Sequence, residues 1–396
     1  MRMLFQAALA AALFLPAQTF AQSLKPDEVY SSLATGVLSN PNPVAGADGR
    51  THLAYEVLVT NPSRVFVTID KVEAIDTGGN VLSQIAGDEL AKMIERFGLQ
   101  GALIAPGGTA IVFMDVALPD GSKVPGEILA RITATRQMAD KDGKPQPLPA
   151  DYPLVANYSF AGAPATTEKA ATLIEPPLRG KGWVSINGCC DAITSHRGAV
   201  MSINGHIRVP ERFAIDWIKL DDKSLMYTGE ATKLASYAYY GAEVHSVADG
   251  TVVNLYDETD EQIPSEDAKG INTANIGGNM LVIEIADGVY AFYAHLQRGS
   301  LKFKLGDKVK VGDVIGLLGN TGNSTAPHLH FYLMDGPSPL NANGLPFILS
   351  KFSSPGVVPE QELDNMFSGK PVKFDARLAG EHANQYPLNN QVVDFE

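Results

Sequence analysis

His328-Leu329-His330-Phe331-Tyr332-Leu333-Met334 is an apolar run with two imidazoles at its head. Its aromatic residues favour a strand, and in a strand residues two apart share a face. Both imidazoles are therefore expected to enter one cleft. Upstream, Gly319, Gly322 and Asn323 bring the chain to Pro327 and His328 through backbone angles that glycine adopts freely. Farther upstream, Tyr293-Ala294-His295-Leu296 ends another strand, which follows Val282-Ile283-Glu284-Ile285 and an Asp287-Gly288 hairpin turn. Asp216 lies in Phe213-Ala214-Ile215-Asp216-Trp217, a carboxylate inside an apolar strand. Such a group is costly unless paired or ligated to a metal. Three histidines and one aspartate are donor types that zinc uses, with water in its open position.

Outward from these strands the chain stays rich in turns. Its 396 residues include 37 glycines and 25 prolines, and 45% are hydrophobic, so large β cores are expected rather than long helices. Residues 24–165 carry β-branched runs, Leu53–Val59, Val65–Ile69, Ala110–Val116 and Ile128–Thr135, separated by turns such as Asn61-Pro62-Ser63. They predict an immunoglobulin-like β-sandwich acting as an accessory module. Leu90, Met93, Ile94 and Phe97 have helical spacing and predict one short helix over 88–97. Residues 166–180 read as a linker, 181–350 as a second, Gly-rich β domain, and 351–396 as a tail packing on it. At the other end, Arg2, the apolar run Ala7–Leu15 and Thr19-Phe20-Ala21 form the pattern of a signal peptide over 1–21. An exported chain, periplasmic or extracellular and without a stable membrane anchor, is the expectation.

The second domain resembles the lysostaphin-type (LytM-type) zinc endopeptidases, which cut peptide cross-links in peptidoglycan. The matching stretches are Val247–Val253, Tyr293–Leu296, Gly306–Gly316 and Gly319–Phe331. The resemblance covers roughly residues 181–348, and its second half is the more specific. It implies a two-layer antiparallel β domain of the duplicated hybrid motif type. It also implies that Asp216 and His330 bind zinc, and that His295 and His328 flank the attacking water and the scissile peptide. The implied partners are peptidoglycan stem peptides or cross-bridges, and other cell-wall proteins.

The chain departs from that family at one position. The family's first zinc ligand is a histidine four residues before the aspartate, where this chain has Arg212. A guanidinium does not deprotonate to bind a cation. His196, beside the unusual cluster Asn187-Gly188-Cys189-Cys190-Asp191, is the candidate replacement; His206 follows an Asn-Gly turn and reads as exposed. The alternative is a catalytically inactive domain that binds wall peptide or regulates another wall hydrolase. A lipoyl-type carrier fits less well, because it needs one exposed lysine at a hairpin tip.

Charge excludes other classes. The chain has 31 basic and 44 acidic residues, a net charge of −13, which opposes binding to nucleic acid. Its two cysteines, Cys189 and Cys190, are adjacent and in an exported protein are expected to form a disulfide with each other. His245 reads as a surface residue or part of the cleft mouth. His52 and His382 have no partners visible in the sequence and are taken as inert.

Overall fold

The computed structural model describes residues 28–96, 101–167 and 169–396. The expected signal peptide over 1–21, and Phe97 of the expected helix, lie outside them. The architecture is all-β, with two short α-helices among the described residues, Gly87–Lys92 and Glu360–Phe367. No helix among them is long and apolar enough to cross a membrane.

Two sheets form the N-terminal sandwich. One is built around Thr51–Thr60 and Thr109–Leu118, which pair antiparallel along their full lengths. The other is built around Phe66–Asp76 and Glu127–Ala139. Alternating burial along Glu127–Ala139 is the period-2 signature of a strand with one face on a core. Val57 and Val112 from one sheet meet Val72 and Ile132 from the other in a shared core, each at most 1% exposed. The helix is shorter than its spacing predicts. It stops at Lys92 because Ile94 is drawn into a strand opposite Val112.

The second domain is organised by a 12-stranded sheet. Its middle runs Gln391–Phe395, Gly180–Ile186, Ile215–Lys219, Leu329–Met334, Val289–Leu296, Asn279–Ala286 and Gly250–Tyr256. Along Leu329–Met334 the side chains alternate. Leu329, Phe331 and Leu333 enter the large core with Trp217 and Tyr293. Tyr332 and Met334 face the other side with Phe292 and Ala294. That second face carries the cleft.

The expected linker 166–180 is not a free segment. Ala165–Thr166 closes on Glu127–Ala139, and Thr172–Ile174 runs parallel to Phe347–Val357 in the large sheet. The stretch 351–396 likewise does more than pack on the domain. Gln391–Phe395 inserts between Gly180–Ile186 and Phe347–Val357.

Candidate metal centre and cleft

Strand register brings the first donors together. Asp216 on Ile215–Lys219 stands directly opposite His330 on Leu329–Met334, and His330 stands opposite Ala294 on the next strand. The Asp216 carboxylate lies 2.8 Å from His330 Nδ1 and 3.4 Å from His328 Nε2. His196 arrives from the loop after Gly180–Ile186, with Nε2 3.2 Å from the Asp216 carboxylate. Ring centroids of His196 and His330 are 4.7 Å apart. Donor atoms of His196, Asp216 and His330 all lie within 4.8 Å of one another.

His295 and His328 complete the floor of the cleft, their ring centroids 4.5 Å apart. Phe292 and Ala294 face the cleft, so strict alternation would turn His295 towards the opposite core. Its φ of +61° breaks the alternation at the strand end, and the ring lines the cleft. A non-glycine residue held in that region is uncommon and must be fixed by its surroundings. Here its backbone N–H donates to Gly277, its carbonyl accepts from Gly319, and its ring is bonded to Thr321.

Backbone carbonyls set the tautomers. Ala214, Thr321 and Ala326 each accept from Nδ1 of His196, His295 and His328, at 2.9, 2.6 and 2.8 Å. A carbonyl only accepts, so each of these rings carries its proton on Nδ1 and turns Nε2 to the cleft. This outer arrangement is what metal-site and acid–base imidazoles require.

The charges are mutually dependent. Burial opposes ionisation of Asp216, yet the neighbouring His196 and His328 hold its carboxyl well below the usual range. Burial also lowers the His196 pKa, and Asp216 outweighs it, raising that imidazole to about 9. For His328, burial is likewise outweighed by Asp216. His295 is pushed well below the ordinary value by burial and by the charges of His328 and His330. An anionic aspartate surrounded by imidazoles is a set that a divalent cation can replace protons in.

The cleft encloses about 650 Å³. All five residues singled out in the sequence line it: His196, Asp216, His295, His328 and His330. Arg212 does not. It is 2% exposed, and its Nε donates to both Glu56 carboxylate oxygens at 2.9 Å, in the N-terminal sandwich. The position that sequence alone made doubtful is thus committed to a domain contact. The readings of His52, His382 and His245 are corrected, and that of His206 stands. His52 is 5% exposed and bonded to Asp115 and Asp48, at 2.8 and 3.2 Å. His382 is buried, stacked on Phe352 and bonded to Gln385 and the Leu378 carbonyl. His245 is buried rather than on the surface, and donates to Gly312 away from the cleft. His206 is exposed, after the Asn204-Gly205 turn.

Two residues near the centre were not singled out as site residues. Asn187 donates its Nδ2–H to Asp216 at 2.9 Å, and the Glu211 carboxylate lies 3.8 Å from His330 Nε2. Asn187 directly follows the strand in which Ile186 pairs with Asp216, a neighbourhood visible only once the register is known. The described residues hold one further cluster of donors, His52, Asp115 and Cys190. Cys190 is joined to Cys189 in a disulfide and offers no thiolate there.

Comparison with known proteins finds a family match to part of the second domain. Residues 232–342 match Peptidase family M23. That M23 segment includes His295, His328 and His330, and ends short of His196 and Asp216. Lysostaphin of Staphylococcus simulans is 49% identical over 59 residues, 15% of this chain and 12% of its own. The peptidoglycan DD-endopeptidase ShyA of Vibrio cholerae is 34% identical over 106 residues, 27% of this chain and 23% of its own. The matched region thus spans less than a quarter of either relative. Among solved structures, the lysostaphin catalytic domain of Staphylococcus simulans is 24% identical, over 42% of this chain and 88% of that one, with a TM-score of 0.22.

Proposed function

We propose that the protein is a zinc-dependent endopeptidase hydrolysing peptide bonds in peptidoglycan cross-links, exported to the periplasm or the cell exterior. The observation that carries this is the convergence of His196, Asp216 and His330 on one point beside His295 and His328. Two imidazoles and one carboxylate, open on the cleft side, are a donor set suited to catalytic zinc. His196, Asp216 and His330 would hold the metal. When bound, zinc lowers the pKa of the attacking water and polarises the scissile carbonyl.

The chain's own residues supply the remaining chemistry. His295 and His328 turn Nε2 into the cleft, where one accepts the proton of the attacking water. The other donates to the carbonyl oxygen as charge develops there, or to the leaving amine. Thr321 and Ala326 hold the Nδ1–H of both rings, so the accepting ring takes its proton at Nε2 and the donating ring acts as the imidazolium, giving up its Nε2 proton. Asn187 steadies the Asp216 carboxylate at Oδ2, the oxygen nearest His196, while Oδ1 faces His328 and His330.

The competing reading, a metal-free binder of wall peptide, drew its support from Arg212. The Glu56 partner gives that arginine a structural role that does not occupy the metal position. The test is metal analysis of the purified protein together with hydrolysis of cross-linked peptidoglycan. About one equivalent of zinc and release of cross-link fragments are expected. His196→Ala should bind zinc much more weakly and lose hydrolysis; zinc retained at the parental level would remove His196 from the ligand set. A parent protein that binds no zinc and leaves peptidoglycan intact would favour the binder.

A further inference from the structure

We propose that the N-terminal sandwich is a structural part of the metal centre: it clamps the 187–200 loop and thereby holds His196 in ligating position, with Ile193, Arg197 and Val200 as positioning residues. The inference rests on the reading of His196 as a ligand.

The loop from 187 to 200 has no helix or strand of its own. Irregular backbone of this kind is ordered by what it packs against. The start of the loop, through Cys189 and Cys190, packs in its own domain, whereas the part that carries His196 packs on the other one. Ile193 and Val200, on either side of His196, pack against the N-terminal core that holds Met93, Ile94 and Phe113. Arg197, the residue after His196, is 0% exposed. Its guanidinium donates to the Cys190 carbonyl within the loop and to the Met114 carbonyl on Thr109–Leu118, the latter at 3.0 Å, and lies 5.6 Å from the Phe113 ring centroid. The loop is thus tied across the domain boundary one residue from the ligand. On its other side, His196 Nδ1–H is tied to Ala214, two residues from Asp216.

Arg212 adds a second tie nearby, its guanidinium on Glu56 of Thr51–Thr60. Thr51–Thr60 pairs with Thr109–Leu118, the strand that receives Arg197, so both arginines anchor on one rigid two-stranded unit. A donor carried on a strand needs no such support, because its ladder fixes it; Asp216 and His330 are of that kind. His196 is the one proposed ligand whose position depends on a loop, and the sandwich supplies the rigidity the loop lacks.

The test is zinc affinity of the full-length protein, measured by chelator competition, in Ile193→Ala/Val200→Ala and in Arg197→Lys. Residues that orient a ligand typically cost 10–100-fold in metal affinity, and a loss in about that range is expected with the circular dichroism spectrum retained. In a His196→Ala background the same substitutions should cause no further loss, because they act through that ring. Parental affinity in both variants, or full additivity with His196→Ala, would overturn the clamp. Hydrogen exchange of the unsubstituted protein without metal gives a readout that does not require a folded variant. The hydrogen-bonded amides of Arg197, Gly198 and Ala199 should exchange far more slowly than exposed loops, and exchange at the rate of exposed loops would equally overturn it. If His196→Ala binds zinc as the parent does, it is the ligand assignment that fails.

Discussion

Glu56 and Arg212 are separated by 156 positions, yet each is at most 2% exposed and each is the other's counter-ion. Removing one member of a buried pair strands the other charge, a loss of about 3–5 kcal/mol, whereas replacing both by apolar residues of similar volume is often near neutral. Glu56→Gln should therefore lower the unfolding free energy by that order, and Glu56→Leu/Arg212→Met should recover most of it. Denaturant unfolding of the three proteins measures this. His52 permits a pH test. Burial lowers its pKa, but hydrogen bonds and charge from Asp115 and Asp48 outweigh this and raise it from 6.5 to about 10. A group whose pKa rises on folding binds its proton more tightly in the native state. Its stabilisation is complete below about pH 6.5 and is lost as pH climbs through about 10. The unfolding free energy should fall between those limits, and fall less in His52→Gln. Equal slopes in the two proteins would mean that the imidazole is not charged in the native state.

The elements around His295 show what a glycine is needed for. Gly278 has φ of +62°, and a Cβ there would sit 2.3 Å from Thr321 Oγ1 and 2.5 Å from its carbonyl carbon and oxygen. That Thr321 carbonyl is the acceptor for His295 Nδ1–H. Gly278→Ala should push the Thr321 segment away and leave the ring without its anchor. A shift of this size in a reacting group can reduce turnover by about 10²-fold. Zinc content should stay at the parental level, because His196, Asp216 and His330 stand on other elements. Steady-state kinetics with metal analysis would show the split; loss of zinc together with turnover would mean the damage is not local. At this scale much was legible. Two-residue spacing put His328 and His330 on one face, and Asp216 stood out as a carboxylate among apolar residues. The partners of Arg212, His52 and Asn187 were not legible, because each is supplied by a strand or loop that only the folded register brings near.

Across the whole molecule, three distant stretches of chain converge behind the cleft. Tyr386 exchanges backbone hydrogen bonds with Ala45 and Ala47 of the N-terminal region, at 2.7 and 3.0 Å. Its hydroxyl donates to the Phe213 carbonyl and accepts from the Cys189 N–H, each at 3.3 Å. The sequence of 351–396, Pro-containing and polar until Val392-Val393-Asp394-Phe395, suggested a covering tail. Local pattern does not reveal that this last run is interior to the sheet, since its neighbours Gly180–Ile186 and Phe347–Val357 are far away along the chain. Val392 and Val393 are at most 1% exposed, and Phe395 packs edge-on against Trp217, the neighbour of Asp216. Removing residues 391–396 would therefore open the sheet between two strands and leave both with unpaired backbone groups, rather than trim an end. Truncation after Asn390 should abolish cooperative unfolding and zinc binding together. Removal of Glu396 alone, whose exposed carboxylate meets Lys351 at 2.7 Å, should leave the melting midpoint close to the parental one. Thermal unfolding and metal content of the two truncations make the comparison. A protein ending at Asn390 that melted with the parental midpoint would mean that the inserted strand contributes little to the sheet holding Asp216.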